Sequence, residues 1–313
     1  MSPNNFKIKS SIFLFTVLIL MSISTTVRGG VCDESDVAKN QKTQQTASNI
    51  DSIGQGNEFV NKNKLSEAIK AYCKTISAES QVPMALNNLA IVYIRLERYQ
   101  DAVDALTRAI NLKRQDYKLE LDLAKVYYNL GSCYLSMNQN EDALEALKKS
   151  LEHNSNYVYA INDLGIAYSN LKQFSEALST FKRAIELDKN FSLGHFNLGT
   201  IYYQMDKLKE AKKCFIESIR LDPNQAEAHF FLGTIQFKLG DHDEGMKHLK
   251  RAIELKPDYA AAHYNLSVAF MAQKNIESSL AHYKILKTLD NDLAKTLLRN
   301  LQGDKIVSVN SFK

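Results

Sequence analysis

The sequence lacks a large excess of either charge. Its 313 residues contain 39 Lys and Arg against 35 Asp and Glu, a formal net charge of +4. Lys7, Lys9 and Arg28 lie in the segment before Gly30, which contains no acid, so the rest of the chain is nearly neutral. Proteins that bind nucleic acid usually carry a clear basic excess. The charge therefore does not indicate a nucleic-acid partner.

Motifs for catalysis are also missing. The chain has no glycine-rich loop that could cradle a phosphate and no nucleophile elbow. His242 and His248 flank Asp243 and Glu244, but they are six positions apart rather than four, so they do not form a metalloprotease motif. We interpret this segment as a solvated helix start. We expect no enzyme activity, no cofactor and no metal site.

Long apolar runs are absent too. The longest, Ile12 to Ile23, follows Lys7 and Lys9 and holds about a dozen residues, whereas a membrane span needs roughly 20. A short apolar run after basic residues is typical of an export signal. Residues 1–30 are therefore predicted to be a signal peptide, which places the protein outside the cytoplasm, in a periplasm or secreted. An uncleaved membrane anchor formed by residues 11–24 is the alternative.

What the chain does contain is a repeat. A leucine followed by a small residue recurs, and four of the five intervals between these leucines are equal in length. The members are Leu89-Ala90, Leu130-Gly131, Leu164-Gly165, Leu198-Gly199, Leu232-Gly233 and Leu266-Ser267. Aligned units share an aromatic residue three positions after the small one and, nine positions further on, a second small residue, which is alanine at Ala102, Ala143, Ala177 and Ala211. The unit around Leu232 departs from this pattern, with Gln236 and Gly245 at the two positions. We expect a looser helix pair there.

This pattern, with its period of about 34 residues, resembles the tetratricopeptide repeat (TPR) family, whose units are antiparallel helix pairs. The resemblance implies an all-α, right-handed superhelical solenoid that binds partners. After the last unit, Leu297, Leu298 and Leu301 share one face of a helix, which we expect to cap the exposed apolar side of the array. The predicted organisation is a polar, flexible spacer at 31–48, seven units over 49–293, a capping helix at 294–303 and a tail at 304–313. The units are 49–82, 83–116, 124–157, 158–191, 192–225, 226–259 and 260–293.

Two features of the array are irregular. Gly54 and Gly56 weaken the opening helix of the first unit, because glycine in a helix costs about 1 kcal/mol relative to alanine. An insertion, 117–123, separates units two and three. Its length is almost two helical turns, so we expect the insertion to lengthen the first helix of unit three.

Positions are counted from the first residue of each unit. Positions 2, 5, 6 and 12 share one face of the first helix of each unit. By the family resemblance this face lines the concave groove. Position 6 holds Asn in four of six units and resembles the asparagine ladder with which the superhelix of O-GlcNAc transferase holds extended peptides. The predicted partner-binding residues are Asn88, Asn129, Asp163, Asn197, Asn265, Tyr128, Tyr159, Phe196, Tyr203, Phe230, Phe231, Phe237 and Tyr264; Leu193 and Met271 lie at the same positions. The alternative is that these side chains are ordinary residues of the family consensus and pack against the neighbouring helix without contacting a partner.

Chaperone-binding members of the family carry a lysine at position 5. Here position 5 holds no lysine; it reads Ile53, Asn87, Tyr128, Asn162, Phe196, Phe230 and Tyr264. A carboxylate clamp for acidic chaperone tails is therefore not expected.

Histidines and cysteines also follow the frame. His195, His229 and His263 recur at position 4, a packing position, and neighbouring copies would lie about 10 Å apart, the spacing of packed helices. That distance excludes a shared zinc ion.

Export would permit disulfides; Cys73 and Cys214 lie too far apart for one, and Cys133 is expected in the core. A bridge between Cys32 and Cys73 stays open.

We expect a non-enzymatic, exported or membrane-anchored scaffold that binds an extended protein or peptide segment, for example during assembly of an envelope or secreted complex. Two alternatives remain: a self-associating or membrane-tethered spacer, and a recognition subunit that serves a glycosyltransferase-type enzyme in trans.

Overall fold

The computed structural model describes Cys32 and residues 52–78, 82–115 and 121–303. Within these residues the chain forms fifteen α-helices and no strand. The signal segment, the tail and, apart from Cys32, the spacer lie outside the described part. The helices are α1 Ser52–Asn61, α2 Leu65–Ser77, α3 Val82–Arg95, α4 Tyr99–Gln115, α5 Leu123–Ser136, α6 Asn140–His153, α7 Val158–Asn170, α8 Phe174–Leu187, α9 Ser192–Gln204, α10 Leu208–Leu221, α11 Ala226–Lys238, α12 His242–Leu255, α13 Ala260–Ala272, α14 Ile276–Leu289 and α15 Asn291–Gly303.

The helices form seven antiparallel pairs, from α1 with α2 to α13 with α14, and each second helix also packs on the first helix of the next pair. First helices contact one another along the array, as α5 does with α7 and α7 with α9. The predicted all-α superhelical solenoid is confirmed. Its core lies between neighbouring helices all along the chain rather than around one centre.

Small residues set the distance between the two helices of a pair. A Cβ added to Gly165 would lie 2.6 Å from Cε1 of Phe181, and one added to Gly131 would lie 2.6 Å from Cγ of Leu147. On the second helices, the recurring alanines have no exposed surface: Ala102, Ala143, Ala177 and Ala211. Each glycine therefore leaves the space that a large side chain of its partner helix fills.

Gly56 has this same packing role, which corrects its interpretation as a weak point of the first unit. A Cβ at Gly56 would lie 2.4 Å from Cε1 of Tyr72, a side chain that is 1% exposed. The Tyr72 hydroxyl donates a hydrogen bond of 2.7 Å to Oδ1 of Asn57. The helix propensity lost at Gly56 is thus offset by burial of a tyrosine against α1.

The pair α11 and α12 is tighter, not looser as the sequence predicted. A Cβ on Gly233 would lie 2.8 Å from the backbone oxygen of Gly245, and one on Gly245 would lie 2.9 Å from the backbone oxygen of Gly233. Two facing glycines let the backbones themselves come into contact. The side chain of Gln236 is buried beside them, and its Oε1 has no hydrogen-bond partner.

The insertion between units two and three does not lengthen α5 by two turns as predicted, and the longer helix is α4, which ends before the insertion. Helix α4 spans 17 residues, whereas α5 spans 14 and begins only at Leu123. The Asp122 side chain accepts a hydrogen bond from the backbone N–H of Lys125 and so caps α5. Residues 116–120 lie outside the described part of the chain.

Helix α15 covers the exposed side of the last pair, as predicted. Ala294, Leu297 and Leu301 are at most 1% exposed and form a cluster with Tyr264 and Met271. Nδ2 of Asn300 donates to the Tyr264 hydroxyl at 3.2 Å. Tyr264 is only 8% exposed. We therefore correct its assignment: it packs beneath the cap and is not available to a partner in the groove.

The cysteines separate into one bridge and two thiols. Cys32 and Cys73 form a disulfide with their Cα atoms 6.0 Å apart, which ties a residue of the spacer segment to α2. Cys133 is buried, as expected, and Cys214 is a half-buried thiol. The sequence left the bridge open because it could not show where Cys32 lies.

His229 and His263 are 7% and 3% exposed, which agrees with their predicted packing positions. Each is hydrogen-bonded to a second histidine on the following helix, His248 and His282 respectively. The interpretation of His248 as part of a solvated helix start is therefore wrong, because its side chain is half-buried and paired. His242 is exposed at the start of α12.

Among the described residues, no helix combines the length and the apolar character needed to cross a membrane. The segment 11–24, for which an anchor is the alternative interpretation, is not among them.

The facing glycines allow a direct test of packing. We expect Gly233→Ala to lower the free energy of unfolding by about 1–3 kcal/mol, because the new methyl group meets backbone that cannot turn aside. Gly199→Ala is the matched control, since the three atoms nearest to its Cβ would lie 3.1 Å away and all belong to side chains. Urea unfolding followed by circular dichroism measures both. Equal stability of the two variants would contradict the backbone contact.

Candidate functional site

The candidate site is the surface formed by the first helices of successive units. Side chains at positions 5, 6 and 9 of these helices form hydrogen bonds, several of them from one unit to the next. We call this set of side chains the amide network: Asn57, Asn87, Asn88, Asn129, Asn162, Asp163, Asn197, Thr234 and Asn265.

The amide network has three parts. In the first, Nδ2 of Asn88 donates to Asn57 at 3.1 Å, and Nδ2 of Asn129 reaches Oδ1 of Asn87 at 3.5 Å. In the third, Nδ2 of Asn265 donates to Oγ1 of Thr234 at 2.9 Å. An amide side chain has two N–H donors and an oxygen with two lone pairs, so one bond to a neighbour leaves capacity for a ligand. The asparagines thus connect units, whatever partner they contact.

The middle part of the network ends on a carboxylate. Asn197 donates to Oδ1 of Asn162 at 2.8 Å, and Nδ2 of Asn162 donates to Oδ1 of Asp163 at 3.2 Å. Burial raises the pKa of Asp163 to about 6, against the lowering effect of the Asn162 hydrogen bond. Among the ion pairs of the described residues, none includes Asp163. A largely desolvated acceptor without a cation therefore lies on this surface.

Four aromatic rings form a row beside Asp163, the aromatic row Tyr128, Tyr157, Tyr159 and Phe191. Successive ring centroids lie 5.0, 6.2 and 5.6 Å apart. Burial, and then the charge of Asp163, raise the pKa of Tyr128 above its ordinary value. Tyr159 is 55% exposed, and Leu193, at the equivalent position of the next unit, is 48% exposed. These two side chains present apolar surface to solvent beside the network.

Phenylalanines form a second group, in units five and six. The Phe231 ring stacks on Phe215 at 5.1 Å and meets Phe196 at 6.0 Å and Phe230 at 5.3 Å. Phe231 is half-buried and contributes to the core between α10 and α11. It replaces the asparagine of other units with an apolar contact. Most of its surface is used for packing, so Phe230 and Phe231 offer a partner less area than the sequence implied.

The remaining predicted side chains also contact neighbours. Tyr203 lies 5.4 Å from Phe231, and the Lys238 ammonium lies 4.6 Å from the centre of its ring. Phe237 packs against His242 at 4.5 Å, on its own unit's second helix. The structure therefore brings Tyr128, Tyr159 and Asp163 together, whereas Phe237 and Tyr264 lie apart from them.

Sequence reasoning missed three contributors, Tyr157, Phe191 and Asn162. Tyr157 and Phe191 occupy the last position of their units, as Tyr259 does. An aromatic residue recurring at this last position was the signal that could have found them. The sequence showed only that position 5 of this unit holds no lysine. In the structure, the Asn162 amide connects Asn197 to Asp163.

Within the described residues, no group of three or more His, Cys, Asp or Glu side chains could hold a metal ion. The surface has acceptors, amides and aromatic rings, which can form hydrogen bonds and apolar contacts with a partner.

Comparison with known proteins agrees with this architecture. Family models described as the tetratricopeptide repeat match residues 81–155, 158–191 and 192–225, and one described as the TPR repeat matches 233–274. Together these matches cover more than half of the chain. The Hsp70-Hsp90 organising protein of Plasmodium falciparum (isolate 3D7) is 34% identical over 102 residues, which is 32% of this chain but only 18% of that protein.

Two solved structures share the fold. The structure of Pseudomonas aeruginosa pilF matches with a TM-score of 0.63 and 18% identity, covering 71% of this chain and 97% of that one. A tetratricopeptide repeat protein from Parabacteroides merdae ATCC 43184 matches with a TM-score of 0.62 and 18% identity, covering 80% and 98%. At this identity the likeness concerns the fold alone.

The desolvation of Asp163 predicts how the free energy of unfolding changes with pH. The pKa of Asp163 is raised from 3.8 to about 6, so the folded state binds this proton more tightly than the unfolded state does. Its contribution to stability is present below about pH 4 and is lost as the pH rises through about 6. We expect Asp163→Asn to raise the free energy of unfolding by about 1–3 kcal/mol at pH 7.5, and to have little effect at pH 4.

Urea unfolding at the two pH values measures this difference. Asp258→Asn, at an exposed carboxylate, is the control and should change stability little at either pH. A destabilising Asp163→Asn at pH 7.5 would contradict the desolvation argument.

Proposed function

Because the chain belongs to the tetratricopeptide repeat family, it is a protein-interaction scaffold, and we propose that it binds an extended segment of a partner protein along its first helices. The observation that carries this proposal is the continuous set of groups from α5 to α9. There a desolvated acceptor, amides with spare capacity and two exposed apolar side chains lie on one surface.

The chemistry of this surface fits an extended chain. Amide side chains pair with the N–H and C=O groups of a peptide backbone whatever its sequence. The exposed Tyr159 and Leu193 occupy the same position in neighbouring units. Exposed aromatic and aliphatic side chains are the usual anchors of an interface. Asp163 would accept a hydrogen bond or a cationic group from the partner, which would compensate for its desolvation.

The chaperone partners named for the Plasmodium relative are not part of this proposal. A lysine is missing at position 5 in every unit, and the middle of this surface carries a carboxylate at Asp163. An acidic chaperone tail would meet like charge there. The chain spans about a fifth of that relative's length, so the relative's activity as a whole does not transfer.

Two exposed side chains give the sharpest test. We expect the double variant Tyr159→Ala and Leu193→Ala to weaken partner binding at least tenfold, because it removes anchors that contribute little to folding. The matched control is Ile216→Ala with Ile285→Ala, which removes similar exposed apolar area, 47% and 40% exposed, from second helices. Crosslinking pull-downs with the purified protein and each variant identify and compare partners.

Retention of the partner by the Tyr159 and Leu193 variant, with loss in the control, would move the binding surface to the second helices. Capture of nothing but further copies of the chain would favour the self-associating alternative.

We further propose that the protein acts outside the cytoplasm, in assembly of an envelope or secreted complex. Two observations support the location: the signal-like run Ile12 to Ile23, and the Cys32–Cys73 disulfide. Structural disulfides persist in oxidising compartments and are rare in the cytosol.

The disulfide is the accessible test of location. In protein isolated from its natural source with thiols alkylated before unfolding, we expect Cys32 and Cys73 in one linked peptide pair, identified by mass spectrometry. The bridge closes a sequence separation of 41 residues, so Cys73→Ala should lower the free energy of unfolding by about 2–4 kcal/mol. Cys214→Ala leaves the bridge intact and is the control. Alkylated Cys32 and Cys73 in the native protein would contradict the proposal.

A further inference from the structure

Two histidine pairs recur in the last two units with the same geometry. Nδ1 of His229 lies 2.9 Å from Nδ1 of His248, and Nδ1 of His263 lies 2.9 Å from Nδ1 of His282. The first member of each pair is buried on the first helix of its unit, and the second is half-buried on the second helix. The two pairs occupy the same positions of consecutive units, so one arrangement is built twice.

The remaining ring nitrogen of each buried histidine determines where its proton lies. Nε2 of His229 is 3.1 Å from the backbone oxygen of Pro223, and Nε2 of His263 is 2.9 Å from that of Pro257. A carbonyl oxygen only accepts, so Nε2 carries the proton. In the neutral ring Nδ1 then has a free lone pair. This lone pair points at the second histidine, whose Nδ1–H donates to it.

We propose that each pair, His229 with His248 and His263 with His282, binds a divalent transition metal ion, Zn²⁺ or Cu²⁺, through its two Nδ1 atoms. Water molecules would complete the coordination. Two nitrogen ligands at about 2.0–2.1 Å from a tetrahedral zinc ion lie roughly 3.3 Å apart. The nitrogens therefore need to separate by only a few tenths of an ångström, while the rings turn so that both lone pairs meet at the metal.

The surroundings match those of metal-ligating histidines. Such a histidine donates its other ring N–H to a carbonyl or carboxylate, which fixes the ring and its tautomer. His229 and His263 already do so through Pro223 and Pro257. For His248 and His282, the shared proton would move from Nδ1 to Nε2 of the same ring, which leaves the ring neutral. Metal then replaces a hydrogen bond without any change in the side-chain charge.

The charges around the two pairs differ. His248 experiences the carboxylates of Glu244, one helical turn before it, and Asp241, opposed by Lys212. At the register of Glu244 the second unit has Ser278, and the charge acting on His282 is that of Lys250. A cation is favoured more at the first pair. We therefore expect the His229 and His248 site to bind metal more tightly than the His263 and His282 site.

Unit five has the same register but different residues, His195 and Cys214. Unit five therefore does not repeat the pair of imidazole rings, and we assign no pair of this kind there.

Titration of the full-length, disulfide-bonded protein with ZnCl₂ at pH 7.5, followed by calorimetry and by thermal melting, tests the proposal. We expect two binding events and a higher Tm, with MgCl₂ producing neither. His248→Asn should remove the tighter event and His282→Asn the weaker one, each with at least a tenfold loss of affinity. His242→Asn is the matched control, because His242 lies exposed on the same helix as His248 and should leave both events unchanged.

Zinc binding that is the same in the double variant His248→Asn and His282→Asn would overturn the proposal, as would the absence of any zinc effect on heat or Tm. A variant that fails to fold can be replaced by a measurement on the unmodified protein. Cu²⁺ bound at these pairs should show hyperfine coupling to two imidazole nitrogens in its electron paramagnetic resonance spectrum. Coupling to a single nitrogen, or to none, would equally overturn it.

Discussion

The structure depends on the close approach of two helices at one small residue per unit. A Cβ at Gly131 or Gly165 would lie 2.6 Å from a large side chain of the facing helix, and one at Gly199 would lie 3.1 Å from the Phe215 ring. That approach buries Leu147, Phe181 and Phe215 almost completely. Each pair then presents the same shape to the next, so the stack repeats without a central core. The sequence has a regular period because each unit repeats this contact.

The surface that we propose for partner binding follows from the same contact. Once the pairs are stacked, first helices lie side by side, and positions 5 and 6 meet their counterparts in the next unit. Amides there can bond to one another, as Asn197 does with Asn162, so the surface is held in place before a partner arrives. Asp163 interrupts the asparagines with a charge that burial makes costly. Such a cost is tolerated where a ligand compensates for it, which gives Asp163 more weight than the regular positions.

The periodic features of the fold were predictable from sequence, and the pairwise ones were not. Small residues, aromatics and the apolar face of α15 repeat or cluster along the chain, so the helix pairs and the cap could be inferred. In the sequence, the irregularity around Gly233 and Gly245 indicated a looser pair of helices. Only the structure shows that the two glycines face each other and let the two backbones come closer. His229 and His248 lie on different helices with a sequence separation of 19, which no helical period indicates. Tyr264 fits the groove positions, yet α15 packs over it, a contact that no repeat position indicates.

The ends of the array need stabilisation that the middle does not. In a stacked array each unit is stabilised by its neighbours, so the terminal units have half the support and open first. At the N-terminal end the Cys32–Cys73 disulfide ties a further segment to α2. At the C-terminal end α15 covers the apolar side, and the two histidine pairs join the helices of the last two units. Units three to five therefore carry the largely desolvated Asp163 and the exposed Tyr159 and Leu193 from a position supported on both sides. If this surface binds an extended partner as we propose, that support keeps its groups in register with the partner.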